Sequence, residues 1–150
     1  MYVGIATAVL KTRVITAGIT LPWLILSLFV GGWIFTLVTA GAIAIAAGEY
    51  FHATRTPGTG AIIGVCLAVA QIIAAQVSEE WRHAALVGAV IVPPLWPVLA
   101  ARARTALADW SVVMLGTLYY GWLGSHAVLV RELSDGRNWL FLGFFVVWSC

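Results

Sequence analysis

Gly60–Val77 reads GAIIGVCLAVAQIIAAQV and contains no Lys, Arg, Asp or Glu. As an α-helix rising about 1.5 Å per residue it covers roughly 27 Å, close to the hydrocarbon thickness of a bilayer. Such a stretch is read as a membrane-crossing helix. Four more charge-free stretches of similar length flank it: Val14–Val30, Trp33–Gly48, Ala84–Ala101 and Trp110–Val130. A shorter one, Trp139–Cys150 (WLFLGFFVVWSC), follows. As a helix it covers roughly 18 Å and has no polar stop behind it. A terminal carboxylate at mid-bilayer is costly. The fold class expected is therefore all-α, a polytopic membrane helical bundle with five spans plus a truncated sixth. The expected organisation is a single transmembrane domain over 1–150, the N-terminal portion of a longer membrane protein.

Composition supports this class. Hydrophobic residues make up 62% of the chain and charged ones 9%, and mean hydropathy is +1.00. A soluble domain carries nearer 25% charged residues, so these are too few to cover a water-facing surface. The net charge of +2 is small and dispersed, and no basic run interleaved with aromatics points to nucleic acid. Cys66 and Cys150 lie in apolar stretches and read as free buried thiols. The start, MYVGIATAVLKTR, carries its positive charges after its apolar part, the reverse of a cleavable signal.

All charges fall between or before the apolar stretches. With the N-terminus in the cytoplasm, the inner side holds Lys11, Arg13, Arg55, Arg102 and Arg104, and the outer side Arg82, Arg131 and Arg137. The excess of basic residues favours this orientation. Gly31-Gly32 is expected to make a tight turn through positive φ. Trp33, Trp81, Trp110 and Trp139 mark span ends. Pro93, Pro94 and Pro97 are expected to kink or break the fourth span. Ala40, Ala44 and Gly48, and Gly60 and Gly64, recur at spacing four. They suggest close helix packing within the chain first, and a homodimer second.

Candidate chemistry is sparse. Glu80-Trp81-Arg82-His83 has the Glu-x-x-His spacing of di-metal sites, but the spans hold none of the further glutamates such a site needs, so Glu79–His83 reads as a solvated loop. Ser125 and His126 are helical neighbours and do not face each other as nucleophile and base. With Tyr119, Tyr120, Gln71 and Gln76 they read as donors and acceptors between helices. Glu49, at the edge of the second span, reads as an anchor pairing with Arg55 or another loop arginine. Lys11 and Arg13 precede the first span. They read either as positive-inside anchors or as a binding point for phosphate. No catalytic or metal-binding residue is assigned within the chain.

Three stretches together carry a resemblance. The first is Lys11-Thr12-Arg13-Val14-Ile15-Thr16-Ala17, leading to Gly31-Gly32-Trp33. The second is Gly48-Glu49-Tyr50-Phe51. The third is Leu118-Tyr119-Tyr120-Gly121, then Ser125-His126, then Arg131-Glu132-Leu133-Ser134-Asp135-Gly136-Arg137, ending Val147-Trp148-Ser149-Cys150. This order resembles the N-terminal half of the bacterial phosphatidate cytidylyltransferases, the CDP-diacylglycerol synthases. The resemblance implies an enzyme of the bacterial cytoplasmic membrane that condenses CTP with phosphatidate, needs Mg2+ and feeds phospholipid synthesis. It places Lys11 and Arg13 beside the lipid phosphate. It also implies that the metal-holding acidic residues, beginning with an aspartate before Thr-Gly-Ala-Tyr, follow Cys150, so that the present chain is inactive alone. Two other readings stay open: a small membrane transporter or channel subunit, and a CTP-using membrane lipid kinase.

Overall fold

The computed structural model describes residue 23, residues 25–99 and residues 106–149. Every regular element among them is helical. A helical segment over 25–30 (α1) is followed by α2 (Gly32–Ala53), α3 (Gly58–Val77) and α4 (Glu79–Leu99). Then come α5 (Ala106–Gly116), a π-helical turn (Thr117–Trp122), α6 (Leu123–Arg131) and α7 (Gly136–Ser149). α5, the π turn and α6 form one rod. Four helices are long and apolar enough to cross a membrane: α2, α3, α4 and the rod Leu107–Arg131. α7 is a shorter apolar helix. In lipid, a backbone must satisfy its own hydrogen bonds, so an apolar stretch of this length is forced into helix. Four predicted spans thus appear as helices, the sixth stretch appears as α7, and most of the first lies outside the described residues.

The connections follow local chemistry. Gly31 (φ 71°) and Gly32 (φ 53°) take the left-handed conformation that the turn between α1 and α2 needs, as the Gly-Gly pair predicts. Thr54 Oγ1 donates to the Tyr50 carbonyl at 2.9 Å and closes α2. Ser78 Oγ accepts the Trp81 N–H at 3.3 Å and opens α4, with Glu79 and Glu80 in its first turn, where the helix dipole favours acids. Glu79–His83 is therefore the start of a helix rather than a loop. Pro93, Pro94 and Pro97 lie inside α4, and the helix runs through them unbroken. Pro93 and Pro97 are fully buried and Trp96 nearly so. Packing by neighbouring helices is what lets a membrane helix carry prolines in its interior.

The outward surface is apolar, including Ile45, Ile62, Val98, Phe145 and Val147. Polar side chains are inside: Ser27, Thr36, Gln71, Thr117 and Ser125 are buried. This distribution suits a lipid solvent. α3 touches α2, α4, α5, the π turn and α6, and so forms the centre of the bundle. Its Gly60 and Gly64 pack as the sequence predicts. A Cβ on Gly60 would come within 2.8 Å of the Trp96 ring, and one on Gly64 would strike the Phe51 ring. The α2 stripe is only half realised. Ala40 is in the core, whereas a Cβ on Gly48 would meet nothing within 4 Å. Positions four apart drift by about 40° around a helix, so Gly48 has turned away, and Ala47 and Phe51 carry the buried face instead.

Helix alternation puts Gly31, Ser78 and the 132–135 turn at one end, and the 54–57 turn at the other. Trp33, Trp81 and Trp139, all more than half exposed, gather at the Gly31 end, as an interfacial belt does. Single cysteines at Thr56 and Ser134 are expected to label from opposite sides of the membrane, Thr56 from the cytoplasm under the N-in orientation. Labelling of Thr56 from outside and Ser134 from inside reverses that orientation.

Candidate functional site

The described parts of the stretches that carry the resemblance are distant in sequence and meet in the fold. At the Gly31 end, Arg131 Nε donates to the Leu28 carbonyl at 2.9 Å. Its guanidinium occupies the space a side chain on Gly31 would fill, with Nη2 2.5 Å from an ideal Cβ. Gly31 therefore serves twice, for its positive φ and for the close approach of Arg131. The Arg137 guanidinium lies 5.4 Å from the centre of the Phe29 ring, which meets Phe141 edge-on at 5.7 Å. Arg131, Ser134, Asp135, Arg137 and Asn138 line a polar cavity of about 220 Å³. Beside it, Thr36 Oγ1 donates to Gln76 Oε1 at 2.5 Å, and Gln76 Nε2 donates to Glu132 Oε1 at 3.4 Å.

The second meeting point is aromatic. Phe51 is fully buried where α2 crosses α3 and α5. Tyr50 meets Phe51 edge-on at 5.1 Å and Tyr120 at 5.7 Å, and its hydroxyl donates to the Val112 carbonyl at 3.2 Å. A Cβ on Gly116 would lie 2.5 Å from the Tyr50 ring and 2.8 Å from the Phe51 ring. Thus Tyr50-Phe51 of the second stretch seats against Tyr120 at the head of the third and against Gly116 just before it.

The candidate residues fare unequally. Lys11 and Arg13 lie outside the described residues. Glu49 is exposed and forms no ion pair with Arg55; the ion pair at hand is Arg82 with Glu79 at 3.3 Å. Arg82 also sits over the Trp122 ring at 5.5 Å. Gln71 and Gln76 bond between helices as expected. Ser125 and His126 do not: Ser125 Oγ donates to the Trp122 carbonyl at 2.7 Å, and His126 Nδ1 reaches the same carbonyl at 2.8 Å. Both bond within their own helix because small or ring donors one turn along reach the preceding carbonyls first. Sharing one acceptor, they form no nucleophile–base pair.

Sequence reasoning missed the π turn and the seat of Arg131 on Leu28. A π turn leaves no compositional mark in an apolar stretch, and the Leu28–Arg131 contact spans most of the chain. Among the described residues no three His, Cys, Asp or Glu side chains converge. Glu49 and Asp109 are near the 54–57 end of the bundle, and Glu79, Glu80, Glu132 and Asp135 are at the Gly31 end. The described residues by themselves assemble no magnesium site; the resemblance puts its ligands after Cys150, and no chemical step is derived through a metal.

An apolar exterior, a core that buries a few polar side chains among apolar ones and helices of spanning length define a polytopic helical membrane protein. The chain belongs to the cytidylyltransferase family, whose profile matches residues 11–150. No curated protein and no solved structure matches it. The family is one of CTP-using nucleotidyltransferases.

Proposed function

We propose that the protein transfers the cytidylyl group of CTP to phosphatidate, forming CDP-diacylglycerol and pyrophosphate at the cytoplasmic membrane of a bacterium. One observation carries this reading: a cytidylyltransferase family member is built as a bundle of membrane-length helices. A nucleotidyltransferase embedded in lipid is placed to use an acceptor that stays in the bilayer, and a cytidylyl acceptor must offer a nucleophilic oxygen. A lipid phosphate monoester meets both conditions. Its phosphate oxygen attacks the α-phosphorus of CTP, one O–P bond forms, the bond to the β-phosphate oxygen breaks, and pyrophosphate leaves. The full-length protein in detergent, given Mg2+, CTP and phosphatidate, is expected to yield CDP-diacylglycerol and pyrophosphate in equal amounts. Release of CDP with a phosphorylated lipid assigns a lipid kinase instead, and turnover of neither substrate sinks the enzymatic reading.

Lys11 and Arg13 are proposed to stand at the cytoplasmic headgroup level and meet the lipid phosphate. Arginine offers a planar fork to phosphate, whereas lysine acts as a point charge. In the full-length protein Arg13→Lys is expected to raise the apparent KM for phosphatidate about tenfold, the worth of one charge-assisted bond. Lys11→Arg should have the smaller effect. Unchanged kinetics for Arg13→Lys at normal membrane levels leave both residues as topology anchors.

A further inference from the structure

The π turn at Thr117–Trp122 interrupts an otherwise α-helical rod. In an α-helix each N–H bonds the carbonyl four residues back, and in a π turn five back. Here the Leu123 N–H reaches the Leu118 carbonyl. Such a turn is rare and needs an identifiable cause.

The cause lies on α3. Gln71 is fully buried among apolar neighbours. Its Nε2 donates to the Thr117 carbonyl at 3.1 Å, across helices, and to the Leu67 carbonyl of its own helix at 3.4 Å. Thr117 answers with a bond from Oγ1 to the Gly64 carbonyl at 3.4 Å. Gly121, on the same turn, lets the two backbones close. A Cβ there would lie 2.7 Å from Ala68 Cα and 2.5 Å from Gln71 Nε2. The first residue of the π turn is thus tied to α3 at two points, and its fifth residue is pressed onto the same helix.

Gln71 is costly if packing is its whole role. Its Oε1 is buried with no partner, and an unpartnered amide oxygen away from water is unfavourable. An apolar side chain of the same length removes that orphan and fills the same space. What it cannot supply is the donor to Thr117.

We propose that Gln71 is a positioning residue that holds the rod in its π register and thereby sets Tyr120 against Tyr50. The extra residue in the wide turn means that residue 124 stands where a continuous α-helix places residue 123. Gly124 now faces Ile43 and Ile72, with an ideal Cβ 2.9 Å from Ile43 Cδ1, while Leu123 is exposed. If the π turn relaxes to α, Leu123 rotates inward to face Ile43.

Disulfide cross-linking in the full-length protein, with Cys66 replaced by alanine, reads this register. Ile43→Cys is paired with Gly124→Cys or with Leu123→Cys, each with Gln71 present and with Gln71→Met or Gln71→Asn, the latter an amide too short to reach Thr117. Thr36→Cys with Gln76→Cys reports that α2 and α3 remain docked. With Gln71, cross-linking is expected at 124. Either substitution is expected to lower the ratio of 124 to 123 products about fivefold, the factor carried by one ordinary hydrogen bond. A ratio unchanged in both variants overturns the proposal. Loss of the Thr36–Gln76 cross-link in both also overturns it, because Gln71 then determines the fold and not the register.

Discussion

Phe51→Ala is expected to destabilise the folded bundle by about 3–5 kcal/mol, the usual cost of truncating a fully buried aromatic side chain. The ring has no exposure and fills the space left by two glycines on two other helices, Gly64 of α3 and Gly116 of α5. It also holds the edge-on contact with Tyr50 at 5.1 Å. Within lipid this loss is one of dispersion contacts and shape, since release of water does not drive one apolar helix onto another. Denaturation in mixed micelles measures it. A second substitution makes the expectation specific. Gly64→Ala alone drives a methyl group into the Phe51 ring and is expected to be destabilising. In the Phe51→Ala background the same methyl enters vacated space. The double variant is expected to be more stable than the sum of the single losses by about 0.5–3 kcal/mol. Strict additivity of the two losses would show that Phe51 and Gly64 do not share this crossing.

Gly136→Ala is expected to open the turn that ties α7 to α6. A Cβ at this position would overlap the Val130 carbonyl oxygen and approach the Arg131 carbonyl oxygen to 2.7 Å. These are backbone atoms and no rotamer relieves them. The chain must then give up the Gly136 N–H bond to the Leu133 carbonyl at 2.9 Å, and with it the Asn138 N–H bond to the Asp135 carbonyl at 2.9 Å. The cost expected is about 1–3 kcal/mol, that of overpacking at a rigid site. Cleavage by added protease within 132–135 should accelerate, and a cysteine pair placed at Phe29 and Phe141 should lose its cross-link. Gly143→Ala on the same helix is the control. A Cβ there meets nothing within 4 Å, so stability should hold or rise by up to about 1 kcal/mol, the helix propensity that alanine adds. Equal effects at Gly136 and Gly143 would mean that helix propensity, and not the turn, sets the outcome.

The sequence by itself determined the helices and their order. Gly60–Val77 had to become α3 because lipid offers no partner to an exposed backbone group. Charge marked the turns near Arg55 and at 132–135 but misplaced the one before α4, where Glu79–His83 is helical, and the Gly31-Gly32 pair announced positive φ. The three similar stretches were legible too, but as separate segments. The rotation of each helix about its own axis was not legible. A helix that is apolar all round shows no face that must point inward, so the spacing of Ala40, Ala44 and Gly48 pointed to a stripe that Gly48 does not join. Only the tertiary structure chose Ala47 and turned Gly48 outward. It alone set Tyr50 on Tyr120, Arg131 on the Leu28 carbonyl and Gln71 on the Thr117 carbonyl. These contacts join positions far apart along the chain, and in lipid they are selected by shape and by the few hydrogen bonds that buried polar groups must find.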